Sequence, residues 1–73
     1  MEIAFNGRRT EVRSQNLAEL LQELAIAPDR IAVERNRALV PRRMWAETHL
    51  AQGDAIEVVQ MVGGGLGAAG GCA

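Results

Sequence analysis

Asn16-Leu17-Ala18-Glu19-Leu20-Leu21-Gln22-Glu23-Leu24 is the stretch that decides the fold. Leu17, Leu20, Leu21 and Leu24 fall at i, i+3, i+4 and i+7, which gathers four leucines on one face of a helix. Asn16 is a good N-cap, and Glu19 three residues on completes a capping-box pattern. Pro28 lies just past Ala27 and is expected to stop the helix near there. The spacing therefore predicts a helix of about ten residues, roughly 15 Å long, enough to cover a small sheet. The leucine stripe is read as core rather than as a zipper for a partner helix.

Both flanks of the helix read as strands. Upstream, Met1, Ile3 and Phe5 alternate with Glu2, Ala4 and Asn6, the period of a half-buried strand. Asn6-Gly7 is a strong hairpin signal because both residues tolerate positive φ, and Arg8 to Arg13 is the returning strand. Downstream, Ile31 to Arg35 reads as a third strand with Ile31 and Val33 facing the helix. Asn36-Arg37 makes a turn into Ala38-Leu39-Val40, Pro41 ends that strand, and Arg42 to Ala46 is assigned one helical turn. Trp45 is placed as a plug at the end of the core. Gln52-Gly53-Asp54 turns the chain into a last strand in which Ile56 and Val58 face inward and Val59 and Met61 outward. The sum is an α+β domain, a mixed sheet of four to five strands with one main helix across it. Its span is residues 1–62, followed by a glycine-rich tail over 63–73.

Composition removes several classes of function. With 73 residues the chain makes one domain with a small core, burying about 60% of its unfolded surface and leaving little room for a deep pocket. The net charge of −1, with only Phe5 and Trp45 to stack on bases, does not suit nucleic acid. No apolar run approaches the roughly 20 residues of a membrane span, and no signal peptide is recognisable. A single cysteine fits a reducing compartment, so the expected location is the cytoplasm. All eight basic residues are arginine, so no side-chain amine is available for amide linkage.

The tail carries the chemistry. Six of the eleven residues Gly63-Gly64-Gly65-Leu66-Gly67-Ala68-Ala69-Gly70-Gly71-Cys72-Ala73 are glycine. Glycine loses the most conformational freedom on ordering, so this segment is expected to remain a flexible arm. An arm without side chains can thread a narrow channel and present a terminal carboxylate there. Val59 and Met61 beside it are candidates for a docking patch, and Arg42 and Arg43 for steering an acidic partner surface.

These residues carry a family resemblance. Ile31-Ala32-Val33-Glu34-Arg35-Asn36, Leu39-Val40-Pro41-Arg42, Trp45, Gly53-Asp54-Ala55-Ile56-Glu57-Val58-Val59 and Val62-Gly63-Gly64-Gly65 closely resemble the ThiS family, the sulfur carriers of thiamine biosynthesis. With the opening strand and the helix, the resemblance covers residues 1–65. It implies a ubiquitin-like β-grasp fold with the first and last strands side by side. It further implies a carrier rather than an enzyme, with no bound cofactor and no metal. An E1-like, ThiF-like adenylyltransferase would use ATP to convert a terminal glycine carboxylate to an acyl-adenylate. A sulfur donor of the cysteine-desulfurase or rhodanese type would turn this into a thiocarboxylate. A ThiG-like thiazole synthase would then take the sulfur. Carriers for cysteine, molybdopterin or another thiocarboxylate-dependent product share the fold and the diglycine, and a ubiquitin-like protein modifier is the alternative class.

The chain departs from that family at its end. The family finishes at a diglycine that matches Gly64-Gly65, whereas this sequence runs on to a second diglycine, Gly70-Gly71, and then Cys72-Ala73. A carboxylate held in a peptide bond cannot be adenylated. Some related carriers have a cysteine-containing dipeptide after the diglycine that a JAMM-type metalloprotease removes, and Gly70-Gly71-Cys72-Ala73 resembles that arrangement. The working terminus is therefore Gly65 or Gly71, with Gly71 favoured because only a dipeptide must be removed. Cys72 is read as part of the discarded dipeptide. His49 has no second histidine or cysteine at ligand spacing. No nucleophile, base and orienting group can be assembled, so no catalytic residue is assigned.

Overall fold

The computed structural model describes residues 1–61. It opens with a hairpin of β1 (Glu2–Phe5) and β2 (Arg8–Glu11), in antiparallel register from Phe5 opposite Arg8 to Glu2 opposite Glu11. Asn6 and Gly7 have φ of 50° and 81°, the positive values that a two-residue type I′ turn demands. Ile3 and Val12 are buried, while β2 is an outer strand rich in charged side chains, which discourages edge pairing.

The helix α1 spans Leu17–Glu23. Asn16 caps it as expected, its Oδ1 accepting from the Glu19 N–H at 2.8 Å. The Glu19 carboxylate reaches back to the Gln15 N–H at 2.9 Å, one residue earlier than the capping-box pattern implies. Leu17, Leu20 and Leu21 are buried in one cluster with Ile3, Val33 and Ile56, which lays the helix across one face of the sheet. The expected stop near Ala27 is corrected. Seven residues are helical, and the end is set by Ala25, not Pro28. Ala25 adopts φ of 58°, its N–H donates to Gln22 O at 3.1 Å, and the Ile26 N–H donates to Leu21 O at 2.8 Å. That pair of bonds is a Schellman motif. It has closed the helix before the Pro28 ring can restrict Ala27.

A second hairpin joins β3 (Ile31–Arg35) to β4 (Ala38–Val40) through Asn36 and Arg37, with φ of 53° and 71°. A 3₁₀ helix over Arg42–Glu47 follows Pro41, as the sequence suggests. It buries Trp45, whose indole N–H donates to Val40 O at 2.9 Å. The last strand, β5 (Ala55–Gln60), enters the middle of the sheet, giving the order β2-β1-β5-β3-β4. It runs parallel to β1 and antiparallel to β3, with Ala4 opposite Ala55 and Val33 opposite Val58. First and last strands are thus neighbours, and the five-stranded mixed sheet under one helix is the ubiquitin-like β-grasp arrangement. No helix among the described residues is long and apolar enough to cross a membrane.

Five non-glycine residues among those described have positive φ, and Ala25 and Arg37 lack the short amide that lets Asn6 and Asn36 tolerate the left-handed region. Ala25→Gly and Arg37→Gly should each stabilise the domain by about 0.5–1 kcal/mol, read as a higher urea midpoint with unchanged m-value. A fall in the midpoint would contradict the assigned turn geometries.

Candidate functional site

The site is built at the C-terminal end of β5, because that strand hands the chain on to the glycine-rich segment. Alternation along β5 buries Ile56, half-buries Val58 and leaves Val59 56% and Met61 45% exposed. The sheet pairs Val59 with Ala32, and the Met61 N–H donates to Arg30 O at 2.7 Å, so pairing with β3 continues one residue past the strand. Met61 lines a shallow apolar groove of about 230 Å³ together with Ala32, Leu39, Pro41 and Arg42. Leu39, 66% exposed, is a member of this surface that the sequence reading did not single out. The signal was present: with Val40 turned toward the core, the strand period sends Leu39 outward.

Behind this surface β5 is held by side chains from both hairpin turns. Asn6 Oδ1 accepts from the Val58 N–H at 2.8 Å, and Asn36 Oδ1 accepts from the Ala55 N–H at 2.9 Å. At the entrance to β5 the buried Asp54 carboxylate accepts from Arg35 Nε at 2.8 Å, from the Ala51 N–H at 2.8 Å and from Asn36 Nδ2 at 3.1 Å. Burial pushes the Asp54 carboxyl up, but the Arg35, Ala51 and Asn36 bonds outweigh it and hold the group below the ordinary aspartate value. The Glu23 carboxyl is likewise lowered, first by the Ser14 hydroxyl and then by the backbone N–H groups of Arg13 and Ser14. That group ties the segment before the helix to its last turn and is structural.

Of the residues proposed for docking, Val59 and Met61 lie on one sheet face, and Arg42 stands at the rim of the same groove. Arg43 does not join them. It lines a separate cleft between α1 and the 3₁₀ helix. The Arg42 guanidinium lies 5.9 Å from the centre of the Trp45 ring. His49 is exposed, and among the described residues no group of three potential metal ligands occurs. Gly64, Gly65, Gly70, Gly71 and Cys72, the expected working end and its extension, lie outside the described residues.

A five-stranded β-grasp sheet with β5 at its centre defines a ubiquitin-like domain, and the sequence after β5 contains a diglycine. The chain belongs to the ThiS family, whose model matches residues 3–65. It is 33% identical over 66 residues to the sulfur carrier protein ThiS of Escherichia coli, covering 89% of this chain and 100% of that protein. It is also 41% identical over 66 residues to a thiazole synthase of Magnetococcus marinus, covering 89% of this chain but 20% of the synthase. The chain thus spans about one fifth of the length of that relative. Among solved structures, the crystal structure of a thiamine biosynthesis protein, ThiS from Geobacter metallireducens, is similar with a TM-score of 0.79 and 32% identity. That match covers 89% of this chain and 100% of the other.

The Asp54 network makes the sheet acid-sensitive. A carboxyl whose folded pKa lies below its unfolded value adds stability that is complete above the unfolded value and is lost as pH falls through the folded one. Unfolding free energy should therefore decline as pH drops below about 4, the ordinary aspartate range. Asp54→Ala should cost about 3 kcal/mol at neutral pH by removing the partner of Arg35 and Asn36, and should flatten that acid decline. Urea titrations of both proteins across the acid range test this. An equally steep decline in the variant would place the titrating group elsewhere.

Proposed function

We propose that this chain is a sulfur-carrier protein of thiamine biosynthesis whose terminal glycine carries sulfur as a thiocarboxylate. The observation that carries the reading is the alignment with a protein named as a sulfur carrier along that protein's entire length. The thiazole synthase relative supports the acceptor. A stretch resembling this chain lies within a longer protein of that name, and linking a carrier to its consumer raises their effective concentration.

In this reading the protein is a co-substrate and not a catalyst. An E1-like adenylyltransferase joins the glycine carboxylate to AMP from ATP, turning a poor leaving group into a good one. The terminal persulfide sulfur of a cysteine-desulfurase or rhodanese-type donor attacks the acyl carbon and displaces AMP. A thiol reductant then cleaves the resulting acyl disulfide to release the thiocarboxylate and leave a disulfide, and the thiocarboxylate delivers sulfur to thiazole synthase. Glycine suits this because no Cβ crowds the attacked carbonyl. The exposed Val59, Met61 and Leu39 surface docks the activating enzyme while the arm enters its active site. A peptide-bonded glycine cannot be adenylated, so the residues after the working diglycine are removed first, by a JAMM-type protease in this reading. The family match ends at Gly65, which supports Gly65 as the working terminus. Gly70-Gly71-Cys72-Ala73 keeps Gly71 as the second candidate.

Intact mass of the protein isolated from its own cells should show a species ending at Gly65 or Gly71 that carries the oxygen-to-sulfur increment. Only an unmodified chain running to Ala73 under thiamine-limited growth would overturn the carrier reading. In a reconstituted reaction, chains ended at Gly65 and at Gly71 should be adenylated in an ATP-dependent pyrophosphate-exchange assay, and the chain to Ala73 should not. Val59→Asp should raise the carrier concentration needed for half-maximal exchange about tenfold at unchanged fold stability, the scale of losing one interface anchor.

A further inference from the structure

The cleft between α1 and the 3₁₀ helix adjoins the Met61 groove, sharing Arg42 and Trp45 with it, but opens away from Val59 and Leu39. It has a volume of about 260 Å³ and is walled by Ala18 and Leu21 from the helix, Ile26 and Pro28 from the loop after it, and Trp45 and Ala46 from the 3₁₀ helix. Arg42 and Arg43 stand in its lining. Neither forms an ion pair among the described residues, where the salt bridges involve Arg9, Arg35 and the N-terminal amine. Asp29 and Glu47 adjoin the lining residues Pro28 and Ala46 in sequence but make no ion pair with Arg42 or Arg43, and Glu23 and Glu19 are engaged by Arg13 and Ser14 and by Gln15. The Arg42 guanidinium is held near the Trp45 ring, which limits its freedom before any partner arrives.

We propose that this cleft is a docking site for an acidic–apolar peptide segment of a partner protein. One aliphatic side chain would fill the space between Leu21, Ile26 and Trp45, and an adjacent carboxylate would be received by Arg42 and Arg43. The occupant follows from the chemistry of the walls. The floor is apolar and sized for a single side chain, below the several hundred Å³ of an ordinary small-molecule pocket. The lining includes two arginines that form no ion pair among the described residues, and a planar guanidinium matches a carboxylate in paired hydrogen bonds. A purely apolar partner would leave both arginines unanswered, and a simple anion would leave the apolar floor open. Because the site does not use the terminal glycine, it stands or falls independently of the sulfur-carrier reading.

Trp45 is the only tryptophan and lines both this cleft and the Met61 groove, so its fluorescence reports a bound peptide and Ala46, which lines this cleft and not that groove, assigns the response. The probe is the blocked peptide Gly-Leu-Glu-Leu-Asp-Gly, with its Gln/Asn isostere and inorganic phosphate as comparisons. The full chain should show a saturable emission change with the acidic peptide, with a Kd of about 1 mM or tighter. Arg42→Gln combined with Arg43→Gln should weaken it at least about tenfold, as should Ala46→Leu, which fills the cleft. Val59→Asp, on the opposite face of the sheet, should leave it unchanged, whereas the same variant impairs activation in the carrier assay. Circular dichroism and urea midpoints establish that each variant is folded. No saturable change, an equal response to the isostere or to phosphate, or indifference to Ala46→Leu would each overturn the proposal.

Discussion

The strand that comes last in sequence must occupy the middle of the sheet. β5 pairs with β1 on one side and β3 on the other, in opposite directions, so the two hairpins have no sheet in common until it is inserted. Contacts between residues 4 and 55 or 5 and 56 close loops of about fifty residues, an entropic cost repaid only when the whole strand is seated. The asparagines of both turns meet this constraint. Each takes up the positive φ its turn requires and spends its side-chain oxygen on a β5 N–H, Val58 for Asn6 and Ala55 for Asn36. Turn chemistry and strand insertion are therefore coupled in the same two residues. An aspartate in place of Asn6 would keep the acceptor, one in place of Asn36 would lose the Nδ2 bond and face the Asp54 carboxylate, and alanine at either position would lose both the turn preference and the bond.

This anchoring explains how a domain with a core as small as Ile3, Val12, Leu17, Leu20, Leu21, Val33 and Ile56 can leave apolar side chains exposed at one strand end. Val59 and Met61 project away from the core at the end of a strand that pairs with β3 from Ile56 to Gln60 and with β1 at Ala55 and Ile56, and that is fixed at its entrance by Asp54. Exposed apolar side chains there cost solubility and add nothing to the core. They are tolerable because the backbone beneath them does not depend on their burial. The outer strand β2 shows the opposite solution, with Arg8, Arg9 and Glu11 exposed at an edge that is left without a partner.

Most of the architecture was legible in the sequence because local chemistry and tertiary packing agree. Asn6-Gly7, the leucine stripe, the Asn16 cap and the strand alternation each point to the element that forms. The helix end was misread because Pro28 is an audible stop and Ala25 a silent one. Alanine favours helix, and only its backbone bonds with Ile26's to Gln22 and Leu21 reveal the left-handed residue. Leu39 was legible in principle and overlooked, since a three-residue strand offers too short a period to draw notice. The Asp54 cluster was beyond a local reading altogether: its partners lie 18 and 19 residues away, and no periodicity links them. The family resemblance had drawn on both segments without the contact that unites them. The sequence separated Arg42 and Arg43 from neither surface, but the 3₁₀ geometry turns them to different lining sets, with Arg42 on the ridge shared by both.

Under the proposed carrier reading, the length of chain between Met61 and the working glycine sets how the exposed sheet face would be used. Gly65 lies four residues beyond Met61, a reach of at most about 14 Å, and Gly71 lies ten beyond, at most about 36 Å. With the shorter arm, an enzyme that holds the terminal carboxylate must bring its surface against the platform, and Met61, Val59 and Leu39 fall inside the contact. With the longer arm, the carboxylate can enter a distant channel while the domain stands off, and those side chains gain no reason to be apolar. Their exposure, 45–66% of each residue, is therefore better matched to a terminus at Gly65 than at Gly71. The shorter arm also orders fewer glycines on docking, which at about 1–2 kcal/mol per residue is a large difference for a transient carrier complex. Under the proposed carrier reading, platform chemistry and chain entropy both favour Gly65, the residue at which the family match ends.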